Sequence, residues 1–284
     1  MNALQWITRW TYAPLMLLGF NAAAVMLVTS GAPKLSLFGL LIAAITVSFL
    51  AERFIPYKED WNRSKNDGVR DFLHFLVNET SIVASALLIP IVAALMPFPS
   101  VWPDTWPLWG QLLLAILIAD VGITLVHWAS HHNNTLWRFH AVHHSVKRMY
   151  GFNGLMKHPV HQAIELTAGT LPLVLAGMPL EVAMLLAFAV ALQLLLQHSN
   201  ADMRIGALRY ILALAPVHRF HHLKSGREGN VNFGLFTTLW DRLLGTASFD
   251  PRRRFASDDL GIEDAPGYPS SYIGQLTKPF QPDL

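Results

Sequence analysis

The 284-residue chain has no cysteine and little charge, with 21 Lys plus Arg and 19 Asp plus Glu, 14% in all. Without cysteine there is no disulfide framework, no thiolate metal site and no cysteine nucleophile. A soluble domain carries about a quarter charged residues, so the deficit points toward lipid. A net charge of +2 gives no reason to expect nucleic acid as a partner. What is abundant is apolar: 52% hydrophobic residues, with 9 Trp and 16 Phe, too many for a disordered chain.

Residues 11–30 and 35–51 contain no charged side chain, Thr80 to Pro103 contains none, and Leu108 to Ala129 contains only Asp120. Such runs are about the length that crosses a hydrocarbon core of roughly 30 Å. Arg9 precedes a full-length apolar run without a clean cleavage pattern, which reads as a retained first span rather than a signal peptide. Leu166–Gly177 and Val182–Gln197 are shorter, about 18 and 24 Å as helices, and read as a membrane hairpin or as two tilted short spans extended by flanking residues. The expected fold is therefore an all-α integral membrane protein with about four full transmembrane helices, at 11–30, 35–51, 80–97 and 108–129, plus that hairpin. Lys and Arg concentrate in 52–79, 130–162 and the region after 197, so these segments are expected on the cytoplasmic side as a helical cap. The expected organisation is a transmembrane region over 1–119, a catalytic region over 120–250 and a C-terminal cytoplasmic tail over 251–284. Arg252-Arg253-Arg254 in that tail either touches anionic headgroups or is solvated.

Thirteen histidines are many for this length, and this topology places all of them at or near one face. They form His127-x-x-x-His131 with His132 adjacent, His140-x-x-His143-His144 and His218-x-x-His221-His222, with His198 at the end of the hairpin. Positions i, i+3 and i+4 share a helix face, so each box can turn several imidazoles toward one ion. Nine imidazoles exceed what one tetrahedral zinc can use and suit two ions better. Asp120 lies seven residues before His127, inside an apolar span where a carboxylate needs a partner. It is expected to accept a proton-bearing nitrogen from a ligand ring. Asp202 and Asp241 are weaker candidates for that role, each with an arginine nearby, Arg204 and Arg242. Nitrogen ligands alone suit zinc, copper or iron, so spacing does not name the ion. A zinc-dependent lipid hydrolase and a metal transporter remain as alternative readings.

The stretches LWRFHAVHHS (136–145), KHPVHQ (157–162), QHSN (197–200), PVHRFHH (216–222) and NFGLFTTLWDRLLGT (232–246) carry a resemblance. From about Asp120 to Phe249 the chain resembles the membrane fatty acid hydroxylase/sterol desaturase superfamily of histidine-box non-haem di-iron oxygenases. The resemblance implies that His127, His131, His140, His143, His144, His198, His218, His221 and His222 ligate two iron ions. It further implies O2-dependent hydroxylation or desaturation of a lipid, sterol or other hydrophobic substrate within the bilayer. His158, in a recurrent His-Pro, is a ligand, a residue bonded to one, or pocket wall. His161 pairs with Glu165 along a helix, and His132 can substitute for His131 if the helix is rotated. Trp128 stands where many relatives have Arg. No fused haem-binding segment is visible, so electrons are expected from a separate cytochrome b5, ferredoxin or reductase type of protein.

Overall fold

The computed structural model describes residues 2–95, 97 and 99–281, and within 68–95 leaves the side chains at 86, 87, 90, 93 and 94 undescribed. Seven long helices dominate: α1 Ala3–Thr29, α2 Leu35–Phe54, α3 Gly68–Leu95, α4 Leu108–His132, α5 Asn134–His144, α6 Pro159–Leu175 and α7 Leu180–His198. Among the described residues β-structure is limited to three isolated bridges, Pro56 with Ala201, Leu212 with Thr237 and Leu223 with Leu260. The chain is all-α. Among the described residues four helices, α1, α2, α4 and α7, are long and apolar enough to cross a membrane.

Two expected boundaries are corrected. The third expected span, 80–97, lies in α3, which starts earlier, at Gly68 inside the supposed loop; residue 96 falls outside the described residues. The first turns of α3 are helical because their polar groups find partners in the protein interior. Asp71 meets Arg70 at 2.6 Å and accepts from the Tyr150 hydroxyl at 2.6 Å, and Asn78 donates to the Leu155 and Lys157 carbonyls. Both arms of the expected hairpin are helices longer than their charge-free runs, and the second is itself long enough to cross a membrane. α6 begins at Pro159, with His158 as the N-cap accepting from the Val160 N–H, and α7 spans 19 residues. His161, Gln162 and Glu165 interrupt the apolar run yet are buried within the helix.

α7 is the internal helix. Of its apolar window 72% is buried, against 22% for α1, and it packs on α1, α2, α3 and α4. A helix apolar on every side suits that position. α6 packs on α3 and α4 instead. Where α6 crosses α4, Gly122 faces Ala168 and Gly169 faces Ile123, and a Cβ at Gly122 would run into the Ala168 carbonyl. Small residues at such a crossing allow close backbone approach. The chain turns between α6 and α7 at Gly177, whose φ of +92° is open to glycine at low cost.

Beyond α7 the chain folds irregularly around the helix ends. Trp61, Met149, Phe220, Leu223, Phe255 and Leu260 form a separate apolar cluster there. The segment expected as a tail packs back on the body. The helix Tyr272–Thr277 lies on α3, and Gln275 bonds His74 and Ser145.

Candidate metal centre

Four separate stretches of chain deliver the nine box histidines. His127 and His131 occupy the last turns of α4. Asn133 then leaves the helical conformation, and its side chain accepts from the Thr135 and Leu136 N–H groups at 3.0 and 3.1 Å. That N-cap starts α5 in a new direction and turns its last residues, His140, His143 and His144, against the end of α4. His198 closes α7, and His218 ends the single turn Ala215–His218 just before His221 and His222.

The rings gather into two adjoining groups. His127, His131, His140, His144 and His221 form one, and His143, His198, His218 and His222 the other; within each, the ligand nitrogens lie within 4.8 Å of one another. Each three-histidine box is divided: positions i and i+4 enter one group and the remaining ring enters the other. A whole box therefore does not grip a single ion. In the helical box of α5 the cause is angular, since i+3 and i+4 fall on opposite sides of the line through i, about 100° apart; the second box leaves the helix after His218 and divides in the turns that follow. The groups meet where His144 stacks on His222, 4.6 Å between ring centres.

The tautomers follow from the partners. His127 Nδ1 contacts the Phe233 carbonyl at 2.8 Å, His221 Nδ1 the Val231 carbonyl at 2.9 Å and His143 Nδ1 the Met156 carbonyl at 2.9 Å. A carbonyl only accepts, so each of these Nδ1 atoms carries the proton and each Nε2 is a bare lone pair. His198 Nδ1 faces the Asn153 side-chain oxygen at 2.9 Å, an oxygen because the Asn153 amide nitrogen donates to the Arg148 carbonyl. Yet His127 Nε2 lies 2.8 Å from His221 Nε2, and His143 Nε2 lies 3.2 Å from His198 Nε2. Two neutral lone pairs at that separation repel unless a cation lies between them.

Further close pairs are His131 with His144 at 3.2 Å, His144 with His140 and with His221 at 3.0 Å, and His218 with His222 at 3.1 Å. With bonds of about 2.1 Å, neighbouring corners of an octahedron are about 3.0 Å apart and of a tetrahedron about 3.4 Å. The observed separations are of the order of both edges, and the five-membered group exceeds the four ligands of a tetrahedral site. Burial pushes His143 down to about 3 and, reinforced by the neighbouring imidazoles, holds His140, His144, His218 and His222 well below the ordinary value. His221 is held low by the same burial. Neutral rings are the ligating form.

The other candidates lie outside both groups. His132 stacks on Trp128, with Nδ1 bonded to the Trp128 carbonyl. His158 caps α6 and contacts the Leu276 carbonyl at 3.2 Å. His161 bonds Ser130 at 2.9 Å while its ring lies 4.5 Å from that of His140. Asp120 does not accept from a ligand ring. Its carboxylate takes the Phe236 and Thr237 N–H groups, the Thr237 hydroxyl and the Trp240 indole N–H at 2.7–3.1 Å. Asp241 takes the Phe233 and Gly234 N–H groups and the Thr246 hydroxyl rather than Arg242; burial raises its acid pKa. The two carboxylates thus clamp the turn whose Phe233 carbonyl fixes His127. Asp202 pairs with Arg9 at 3.1 Å, and with Arg204 at 3.7 Å. Sequence reasoning missed Asn153 and Asn230, the latter 2.9 Å from His131 Nδ1. It also missed the carbonyls of Met156, Val231 and Phe233, which leave no residue-type signal.

A fatty acid hydroxylase profile matches residues 112–246, which contain all nine rings. The ornithine lipid hydroxylase OlsE of Rhizobium tropici is 34% identical over 248 residues, covering 84% of this chain and 74% of that one. The chain belongs to the fatty acid hydroxylase family. No solved structure matches it. As in other fatty acid hydroxylases, lipid is the class of substrate to look for beside the rings. An apolar cavity of about 250 Å³ lies there, walled by α3, α4, α6 and α7. Ile123, Leu194, Leu235, Lys157 and Glu165 border both this cavity and a space of about 10 Å³ that touches His127, His140, His143 and His218. The smaller space is about the size of one water molecule.

Proposed function

We propose that this fatty acid hydroxylase is a membrane-bound di-iron oxygenase that uses O2 and external electrons to hydroxylate a lipid. The observation that carries the reading is the pair of adjoining cages, with bare imidazole lone pairs turned inward, at the foot of an apolar cavity. His127, His131, His140, His144 and His221 would hold one iron and His143, His198, His218 and His222 the other. Bound there, two redox-active ions supply the reduction of O2 and the oxidation of an unactivated C–H bond. The balance is RH + O2 + 2e⁻ + 2H⁺ giving ROH + H2O, with the electrons delivered by a separate cytochrome b5, ferredoxin or reductase type of protein.

The chain's own part is positional. The Nδ1 acceptors hold the rings in one tautomer and one orientation. Ile123, Leu194 and Leu235 form the apolar border through which a C–H bond approaches while water is kept out. The concentration of Lys and Arg in 52–79, 130–162 and after 197 supports a cytoplasmic site. The Rhizobium relative's name makes an ornithine lipid the first substrate to try, and supports hydroxylation over desaturation.

The test is metal analysis of freshly purified protein, with lipid mass spectrometry of cells with and without it. Iron, and a lipid gaining one oxygen atom only when O2 is present, are the expected results. His143→Ala or His221→Ala should abolish turnover and lower the iron content. Undiminished turnover under strict anoxia without reductant would overturn the reading in favour of a zinc hydrolase.

A further inference from the structure

One wall of the apolar cavity is polar. Lys157 and Glu165, 7% and 3% exposed, form an ion pair bordering both the cavity and the water-sized space beside the histidines. Gln162, 8% exposed, lines the same cavity, and its side-chain amide has no hydrogen-bond partner among the described residues. Its amide is therefore open to the cavity without a protein partner, and a cavity meant only for hydrocarbon would favour leucine or methionine here.

We propose that Lys157, Gln162 and Glu165 form a subsite for an uncharged hydrogen-bonding group of the substrate, a secondary amide being the best match. Gln162 offers one donor and one acceptor face, and an amide presents the complement of each. The ion pair has no net charge and so gives no net attraction to a charged group, while Lys157 can still donate and Glu165 still accept a hydrogen bond. A plain hydrocarbon would satisfy none of the three. The substrate is then an amphiphile whose apolar chain fills the cavity between α6 and α7 and whose amide sits at its neck. Because Lys157 and Glu165 also border the space at His127 and His143, the carbon presented there lies within a few bonds of the amide. That last consequence rests on the hydroxylase reading; the binding claim does not.

Binding can be separated from turnover by using the full chain with its metals, held without O2. N-dodecylacetamide, dodecane and dodecanoate serve as probes in detergent. The amide should bind more tightly than either other probe. Gln162→Leu should weaken amide binding about tenfold and leave dodecane unchanged, with the same loss or more in Lys157→Met/Glu165→Met. Ala187→Phe, which narrows the cavity, should weaken both amide and dodecane. Unchanged amide affinity in Gln162→Leu and in the double variant, with metal content intact, would overturn the subsite, as would tighter binding of dodecanoate. If the amide is discriminated as expected but no lipid is oxidised when O2 is admitted, the hydroxylase reading fails and the subsite stands.

Discussion

Asp120 shows how one carboxylate can serve a metal centre without touching it. Its two oxygens collect four donors from 236–240, just beyond Phe233, whose N–H is held by Asp241 and whose carbonyl sets the His127 tautomer. Hydrogen bonds to a charged group contribute about 1.5–3 kcal/mol each, and removing the acceptor leaves buried donors unpaired. Asp120→Ala should therefore cost about 3 kcal/mol or more and lower the iron content with all nine histidines intact. A melting curve in detergent and the metal-to-protein ratio check this together; full iron at an unchanged melting temperature would contradict it. Asp120→Asn, which retains one acceptor oxygen, should fall between the two.

Among the elements, the α4–α6 crossing is the most exacting. With Gly122 pressed against the Ala168 carbonyl, a leucine there forces the helices apart, and overpacking typically costs about 1–3 kcal/mol. Gly122 is five residues before His127, so Gly122→Leu should shift the end of α4 and lower iron loading. Gly110→Leu, near the start of α4, would meet only side-chain atoms of Trp106 and Pro107 and should be tolerated. Purified yield and iron content of the two variants make the comparison.

This crossing also marks what the sequence could and could not disclose. The spans at α1, α2 and α4 were readable as charge-free runs, and the histidine boxes as short-range spacings. α3 and α6 began earlier than expected because buried Asp71, His161 and Glu165 look, residue by residue, like loop polarity. The sorting of each box between two groups depends on how α4, α5 and α7 meet. The Lys157–Gln162–Glu165 wall joins positions with no recognised spacing, and the carbonyls that orient the rings belong to the backbone of any residue.

For the whole molecule, the proposed orientation across the bilayer rests on the placement of basic residues. The absence of native cysteine makes it directly measurable, because a single introduced thiol gives no background. Ser30→Cys, in the short connection between α1 and α2, should react with a membrane-impermeant maleimide from outside intact cells. Ser257→Cys, in the segment following the histidines, should react only after the membrane is opened. The reverse pattern would place the rings on the outer side.

The contact between His127 and His221 joins positions 94 residues apart, and that between His143 and His198 joins positions 55 apart. With ions seated, each cage becomes a cross-link closing loops of that length, and such closures restrict an unfolded chain more as the loop grows. In a polypeptide with no thiols to oxidise, such coordination bonds would take the place of disulfides as staples, tying the irregular segment after α7 to the helices above it.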